Sequence, residues 1–358
     1  MWPNTELTKI LGIDYPIIQA PMAGGPTTPE LAAAVSNAGG LGSLGAGYLT
    51  PKRMREAIRD IRKRTDKPFA VNLFVPEPVE VNPAQVMHVN QYLAPYREKW
   101  GLAPEPKVDK YAESFEEQVR IVLEEEVPVF SFTFGIPSPE LIEEMKKKRI
   151  VLVGTATTVR EAVQLRESGI DVIVAQGSEA GGHRGTFASP YQQALIGTMA
   201  LVPQVVDQVD VPVIAAGGIA DARGIVASLA LGAAGVQLGT AFLPCLESGA
   251  HDQHKKMILD STEESTVVTR SLTGKAARGI KNTMVEVMEK LDEREIPSYP
   301  VLNSLTRDLR QEAAKQNNPE WMSLWAGQAT RLCSSVTAEE LMAKLVSEVP
   351  KILRQLNE

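Results

Sequence analysis

The chain holds four histidines, His88, His183, His251 and His254. Only His183 sits in a run that suggests chemistry: Gln176-Gly177-Ser178-Glu179-Ala180-Gly181-Gly182-His183-Arg184-Gly185. An imidazole titrates near neutrality, so among flexible glycines it can meet a ligand as a base or as a cationic anchor. The other three fall in helical or insertion segments, where a surface or core role is expected. Two further runs suit an anionic ligand. Val213-Ile214-Ala215-Ala216-Gly217-Gly218-Ile219-Ala220-Asp221 reads as a strand, a double glycine and a helix-capping aspartate. Gly235-Val236-Gln237-Leu238-Gly239-Thr240 reads as a strand ending in Gly-Thr. Glycine lets backbone N–H groups approach phosphate oxygens, and a helix N-terminus adds a favourable dipole. Plain structural turns are the alternative.

Asn72 and Gln176 close two apolar runs. A side-chain amide both donates and accepts, as the mixed polar edge of a flavin ring requires, although either could simply cap a loop. Gly40-Leu41-Gly42-Ser43-Leu44-Gly45 matches the dinucleotide fingerprint G-x-G-x-x-G in form only. That motif must follow a strand and open a helix. Here it follows a helix and contains the strand, so close helix–strand packing is its expected role. H-E-x-x-H, Walker and C-x-x-C motifs are absent from the sequence, and no metal site is expected.

The elements that must hold these residues recur in order. Tyr15 to Ala20, Leu41 to Leu44, Phe69 to Phe74, Val129 to Phe132, Ile150 to Val153, Asp171 to Gln176, Val213 to Ala216 and Gly235 to Leu238 are eight candidate strands. Helical periods separate nearly all of them, among them Pro29 to Asn37, Pro51 to Arg64, Pro139 to Lys147, Thr158 to Ser168 and Asp221 to Leu231. Continuous apolar strands without polar alternation indicate a parallel sheet covered on its faces. Eight βα units predict an α/β fold, a (β/α)8 TIM barrel, rather than a doubly wound open sheet. In such barrels the loops after the last two strands are the usual phosphate site. Residues 1–245 are read as the barrel, with an irregular, proline-bearing insertion at about 76–106. Residues 246–335 carry helical periods without strands, predicting a small helical domain over the barrel mouth. Residues 336–358, with the amphipathic run Thr337 to Leu353, predict a helix packing back on the barrel.

The 358 residues are 44% hydrophobic and 23% charged, which suits a packed core. A net charge of −7 and 5% aromatics argue against a nucleic-acid surface. The basic runs Arg53 to Arg64 and Lys146 to Arg149 fall in helical stretches and read as solvated faces. Two distant cysteines, Cys245 and Cys333, exclude a disulfide scaffold and suit a reducing compartment. No signal peptide or membrane span is read from the sequence, so a cytoplasmic protein without membrane or nucleic-acid partners is expected.

Together, Gln19-Ala20-Pro21-Met22-Ala23-Gly24-Gly25, Asn72, Ser131-Phe132-Thr133-Phe134-Gly135, Glu179 to Gly185, Ala215 to Asp221 and Gln237 to Thr240 resemble the nitronate monooxygenase family, formerly the 2-nitropropane dioxygenases. The likeness runs from about Leu11 to about Gln328, where Ser323-Leu324-Trp325-Ala326-Gly327-Gln328 also resembles a family segment. FMN-dependent enoyl-ACP reductases share most of the pieces. The resemblance implies an FMN barrel in which Met22 and Gly24 lie along the flavin and Asn72 and Gln176 meet its ring edge. Gly181, Gly218, Gln237, Leu238, Gly239 and Thr240 would hold ring, ribityl chain and phosphate. His183 falls on the family's catalytic histidine. Thr133 stands where many relatives carry a second histidine, and Tyr299 and Gln328 would line the substrate pocket.

Three functions follow as expectations. The first is oxidation of an alkyl nitronate by O2 to a carbonyl compound and nitrite, with a homodimer compatible with it. The second is NAD(P)H-dependent reduction of a quinone or enoyl thioester on the same barrel. The third is a phosphate-ligand barrel without turnover, which would be colourless when purified.

Overall fold

A computed structural model describes residues 2–356. Its strands are β1 Ile17–Gln19, β2 Gly42–Gly45, β3 Phe69–Phe74, β4 Val129–Thr133, β5 Val151–Ala156, β6 Val172–Gln176, β7 Gly182–His183, β8 Val213–Ala216, β9 Gly235–Leu238, β10 Thr266–Thr269 and β11 Ala277–Ile280. Eight of them form one parallel sheet in the order β1-β9-β8-β6-β5-β4-β3-β2. A parallel bridge between Ile18 and Leu41 joins its two edges. There Gln19 N–H donates to Leu41 O at 3.0 Å and Leu41 N–H to Ile17 O at 2.9 Å. The fold is the expected (β/α)8 barrel.

The connecting helices start where the sequence supplies caps. Thr28, Thr50 and Ser138 each accept a backbone N–H and are followed by Pro29, Pro51 and Pro139 at the first helical position. Proline loses nothing there, because its missing N–H would be an unpaired helix donor anyway. The glycines of Gly40 to Gly45 serve close packing. A Cβ on Gly42 would lie 1.8 Å from the Ala32 carbonyl, inside the helix Pro29–Asn37. The last helix, Ala338–Gln355, packs on the helices Pro29–Asn37 and Ala222–Ala230 through buried Leu341, Met342, Leu345 and Val349.

Inside the barrel, Ile18, Leu41, Ala70, Val129, Val153, Val172 and Ile214 form a dry core with Leu7 and Leu11. Those two leucines come from the helix Glu6–Leu11, which caps the N-terminal end of the barrel. Gly235 makes room for it: a Cβ would sit 2.4 Å from the Leu7 side chain.

Two expectations need correction. The stretch about 76–106 is not irregular, because Pro83–Lys99 is a helix capped by Asn82. Its Val89 and Leu93 join a second apolar cluster with Met284, Leu302 and Trp321. Nor are residues 246–335 free of strands. There β10 pairs antiparallel with β11, and β11 pairs with β7. These strands are only two to four residues long and partly polar, and β7 is distant in sequence from β11, so alternation carries little signal. Among the described residues no helix is long and apolar enough to cross a membrane.

Candidate active site

The C-terminal ends of the barrel strands open into a cavity of about 1340 Å³, counting its open mouth. The barrel's pleat decides which side chains reach it. Along β9, Gln237 lines the cavity while Leu238 points outward into the core between sheet and helices. Met22, Asn72, Thr133, Gln176 and His183 also line it, as do Gly181, Gly218, Gly239 and Thr240. Four expected residues do not. Gly24 lies in the turn after β1 with φ +97°, and Leu238 has only backbone to offer. Gln328 donates its N–H to Glu179 O at 3.0 Å, and its neighbour Gly327 lines the wall instead. Tyr299 stands behind His183 and lines a second cleft, yet its ring centroid is 5.5 Å from the imidazole.

His183 is held from both sides. On one, Ala277 of β11 is its strand partner. On the other, the Gln176 amide donates to the His183 carbonyl at 3.1 Å and accepts the Gly185 N–H at 2.8 Å. Gln176 therefore grips the histidine loop, the capping role weighed against it as a ring-edge partner. Arg184 is buried and donates to the carbonyls of Gln176 and Ala194, at 2.9 and 3.1 Å, tying the end of β6 to the next loop. Glu161, also buried, accepts the N–H groups of Thr157, Phe187 and Ala188 and the Thr157 hydroxyl.

The imidazole is walled by Phe134, Tyr299 and Trp325, with centroids 5.5 to 5.8 Å away. Its Nε2 lies 2.9 Å from the Thr273 hydroxyl. Burial, helped by the positive charges of Lys275 and Arg310, pushes its pKa down to about 3, so the ring is neutral at physiological pH. Lys275 stands 4.6 Å over the Phe134 ring, paired with Glu77 at 2.9 Å. Arg310 bonds Ser323 Oγ at 3.1 Å and Asn303 Oδ1 at 2.8 Å. Burial draws that guanidinium down to about 10.

The glycine end lines the same cavity. Gly217 and Gly218 have φ +114° and +71°, a backbone that side chains rarely adopt. Asp221 caps the helix that follows by accepting from Arg223 and Gly224. Thr240 Oγ1 accepts the Gly327 N–H at 2.9 Å, which leaves its own proton to donate. The preceding helix, Thr198–Val206, has Gly197 as N-cap, and Glu179 supplies the missing acceptor by taking the Thr198 N–H at 2.9 Å.

Sequence reasoning missed Tyr48, Thr273, Trp325 as a wall of the histidine, and Arg310. Tyr48 lines the cavity just after β2, and the Gly45-Ala46-Gly47 run before it was the available signal. Phe134 was inside a quoted motif. Its φ of +79°, unusual for a non-glycine residue, turns the ring against His183.

A closed parallel barrel with a glycine- and amide-lined mouth and a neutral, partly buried imidazole beside it defines a class: barrel enzymes that act on a ligand held at the strand C-termini. The family model for nitronate monooxygenase matches residues 4–348, and the chain belongs to that family of oxidoreductases. A probable nitronate monooxygenase of Staphylococcus haemolyticus is 51% identical over 356 residues, which is 99% of either chain. The solved nitroalkane oxidase from Streptomyces ansochromogenes superposes with TM-score 0.91 at 38% identity, covering 98% of this chain and 99% of that one. FabK from Thermotoga maritima superposes with TM-score 0.79 at 30% identity, covering 99% of this chain and 98% of that one.

Proposed function

We propose that this chain is a cytoplasmic FMN-dependent nitronate monooxygenase, which converts an alkyl nitronate and O2 into a carbonyl compound and nitrite. The observation that carries the reading is His183, an uncharged imidazole held by Gln176 and Thr273 in the same cavity as the glycine end. The residues present fit FMN. Gly239 has an ordinary φ of −106°, and a Cβ there would meet protein no closer than 3.5 Å. Neither backbone nor packing accounts for that glycine; close approach of a bound group does. Gly218, Gly239 and the Thr240 hydroxyl would hold the phosphate. Asn72, buried and bonded to Ser131 Oγ at 3.0 Å, would meet the ring edge.

When bound, FMN supplies the electron transfer between substrate and O2. The chain's own part is binding, orientation and proton transfer. Lys275 and Arg310 set a positive field around the imidazole, which favours an anionic nitronate, or the negative oxygens of a nitro group, beside it. His183, uncharged, accepts the Cα proton when the substrate arrives as a neutral nitroalkane. Phe134, Tyr299 and Trp325 pack around the ring and help hold its orientation.

Oxygen uptake and nitrite release on a panel of nitronates, run beside NADH oxidation with quinones and a crotonyl thioester, test the reading. Nitrite without NADH is expected. NADH oxidation without nitrite would favour the reductase on the same barrel, and a colourless protein would favour a binding barrel without turnover.

A further inference from the structure

Thr273 is buried, and its hydroxyl lies 2.9 Å from Nε2 of His183. That hydroxyl has a single proton, which it donates to the Lys275 carbonyl at 3.2 Å. Its oxygen is then the acceptor and Nε2 the donor. A neutral imidazole protonated on Nε2 carries its lone pair on Nδ1. Among the described residues no hydrogen bond reaches Nδ1. The anchor is itself anchored, because Thr273 belongs to the connection between β10 and β11. There Gly274 N–H donates to Arg270 O at 2.8 Å and the Thr306 hydroxyl donates to Leu272 O at 2.7 Å. The aromatic neighbours of the ring pack against it without hydrogen-bonding to it, so the choice of tautomer falls to Thr273.

We propose that Thr273 is a positioning residue that selects the Nε2–H tautomer of His183, leaving Nδ1 open to the cavity to accept the Cα proton of a neutral nitroalkane. In that step the Cα–H bond breaks and Nδ1 takes the proton. The electron pair left on carbon delocalises into the nitro group as the nitronate, and nothing is oxidised or reduced. A preformed nitronate has no such proton to lose, so it bypasses the step. The inference rests on the function proposed above, and its test keeps the two apart.

Wild type, Thr273→Val and Thr273→Ser are prepared as holoenzymes and assayed with nitroethane and with ethyl nitronate, and nitrogen-15 spectra are recorded on histidine-labelled protein. Wild type and Thr273→Ser are expected to show His183 protonated on Nε2. Thr273→Val is expected to lose that single state and ~10- to 100-fold in kcat/KM for nitroethane, with ethyl nitronate changed by less than about threefold. Equal losses on both substrates, or an unchanged Nε2–H ring in Thr273→Val, would overturn the proposal. An Nδ1–H ring in wild type would do so without any variant. Nitrite from neither substrate in wild type would overturn the reaction instead, while the ring spectrum would still decide the tautomer.

Discussion

Gln176 holds His183 by its backbone: the amide nitrogen donates to the His183 carbonyl at 3.1 Å, while the amide oxygen accepts Gly185 N–H two residues on at 2.8 Å. One side chain at the end of β6 thus fixes the two successive peptide planes that follow the imidazole, 183–184 and 184–185. Gln176→Met keeps the length and removes both bonds. It is expected to cost about 1–3 kcal/mol in urea unfolding, since a donor and an acceptor lose their partner. Turnover should fall by more than the stability loss explains, because the ring is no longer aimed.

Glu161 extends this support to the far end of the loop. Its carboxylate takes the Thr157 N–H and hydroxyl at 2.7 Å and the Phe187 and Ala188 N–H groups at 2.7 and 2.9 Å. Glu161→Ala strands all four donors and is expected to destabilise by about 3 kcal/mol or more. A shift of the denaturation midpoint with unchanged slope would register it.

Two histidines, buried His254 and partly buried His183, make the protein acid-sensitive in a defined window. Burial pushes His183 to about 3 and His254 to about 4, against 6.5 for the free side chain. Their folded pKa values are depressed, so the unfolded chain binds more protons below pH 6.5, and stability falls as pH drops from 6.5 toward those values. Each ring contributes about 1.4 kcal/mol per pH unit once the pH is well below 6.5. Urea unfolding at pH 7, 6 and 5 checks this, and His183→Asn is expected to flatten the decline. Over the same range the His183 base stays deprotonated, so its ionisation should leave no inflection in kcat/KM for a nitroalkane between pH 8 and 5.

The cavity glycines separate packing from ligand binding. A Cβ on Gly181 would lie 2.5 Å from Gly327 N and 2.6 Å from Ala326 C, so Gly181→Ala is expected to destabilise by about 1–3 kcal/mol. At Gly239 the nearest atom would be 3.5 Å away, so Gly239→Ala should fold with a stability change within about 0.5 kcal/mol. Its flavin content, read from visible absorbance against protein absorbance, is expected to drop.

Much of the barrel was legible because each signal was local. Parallel strands buried on both faces are continuous apolar runs, and Thr-Pro or Ser-Pro pairs such as Thr50-Pro51 and Ser138-Pro139 mark helix starts by backbone chemistry alone. The glycines and amides of the mouth were legible for the same reason, since each ends such a run. What escaped depends on pairing across the chain. β7 is two residues long, and its partner β11 lies more than ninety positions away. Thr273 reaches His183 across a separation of 90 residues. Leu238 was misjudged more simply: a contiguous motif was read as one surface, while the pleat sends alternate side chains to opposite faces.

The double attachment of His183 has a mechanical consequence. Its backbone is a rung of the small antiparallel sheet above the barrel and is also stapled by Gln176 to the barrel itself. The roof cannot swing away on a hinge without tearing one attachment or carrying the imidazole off with it.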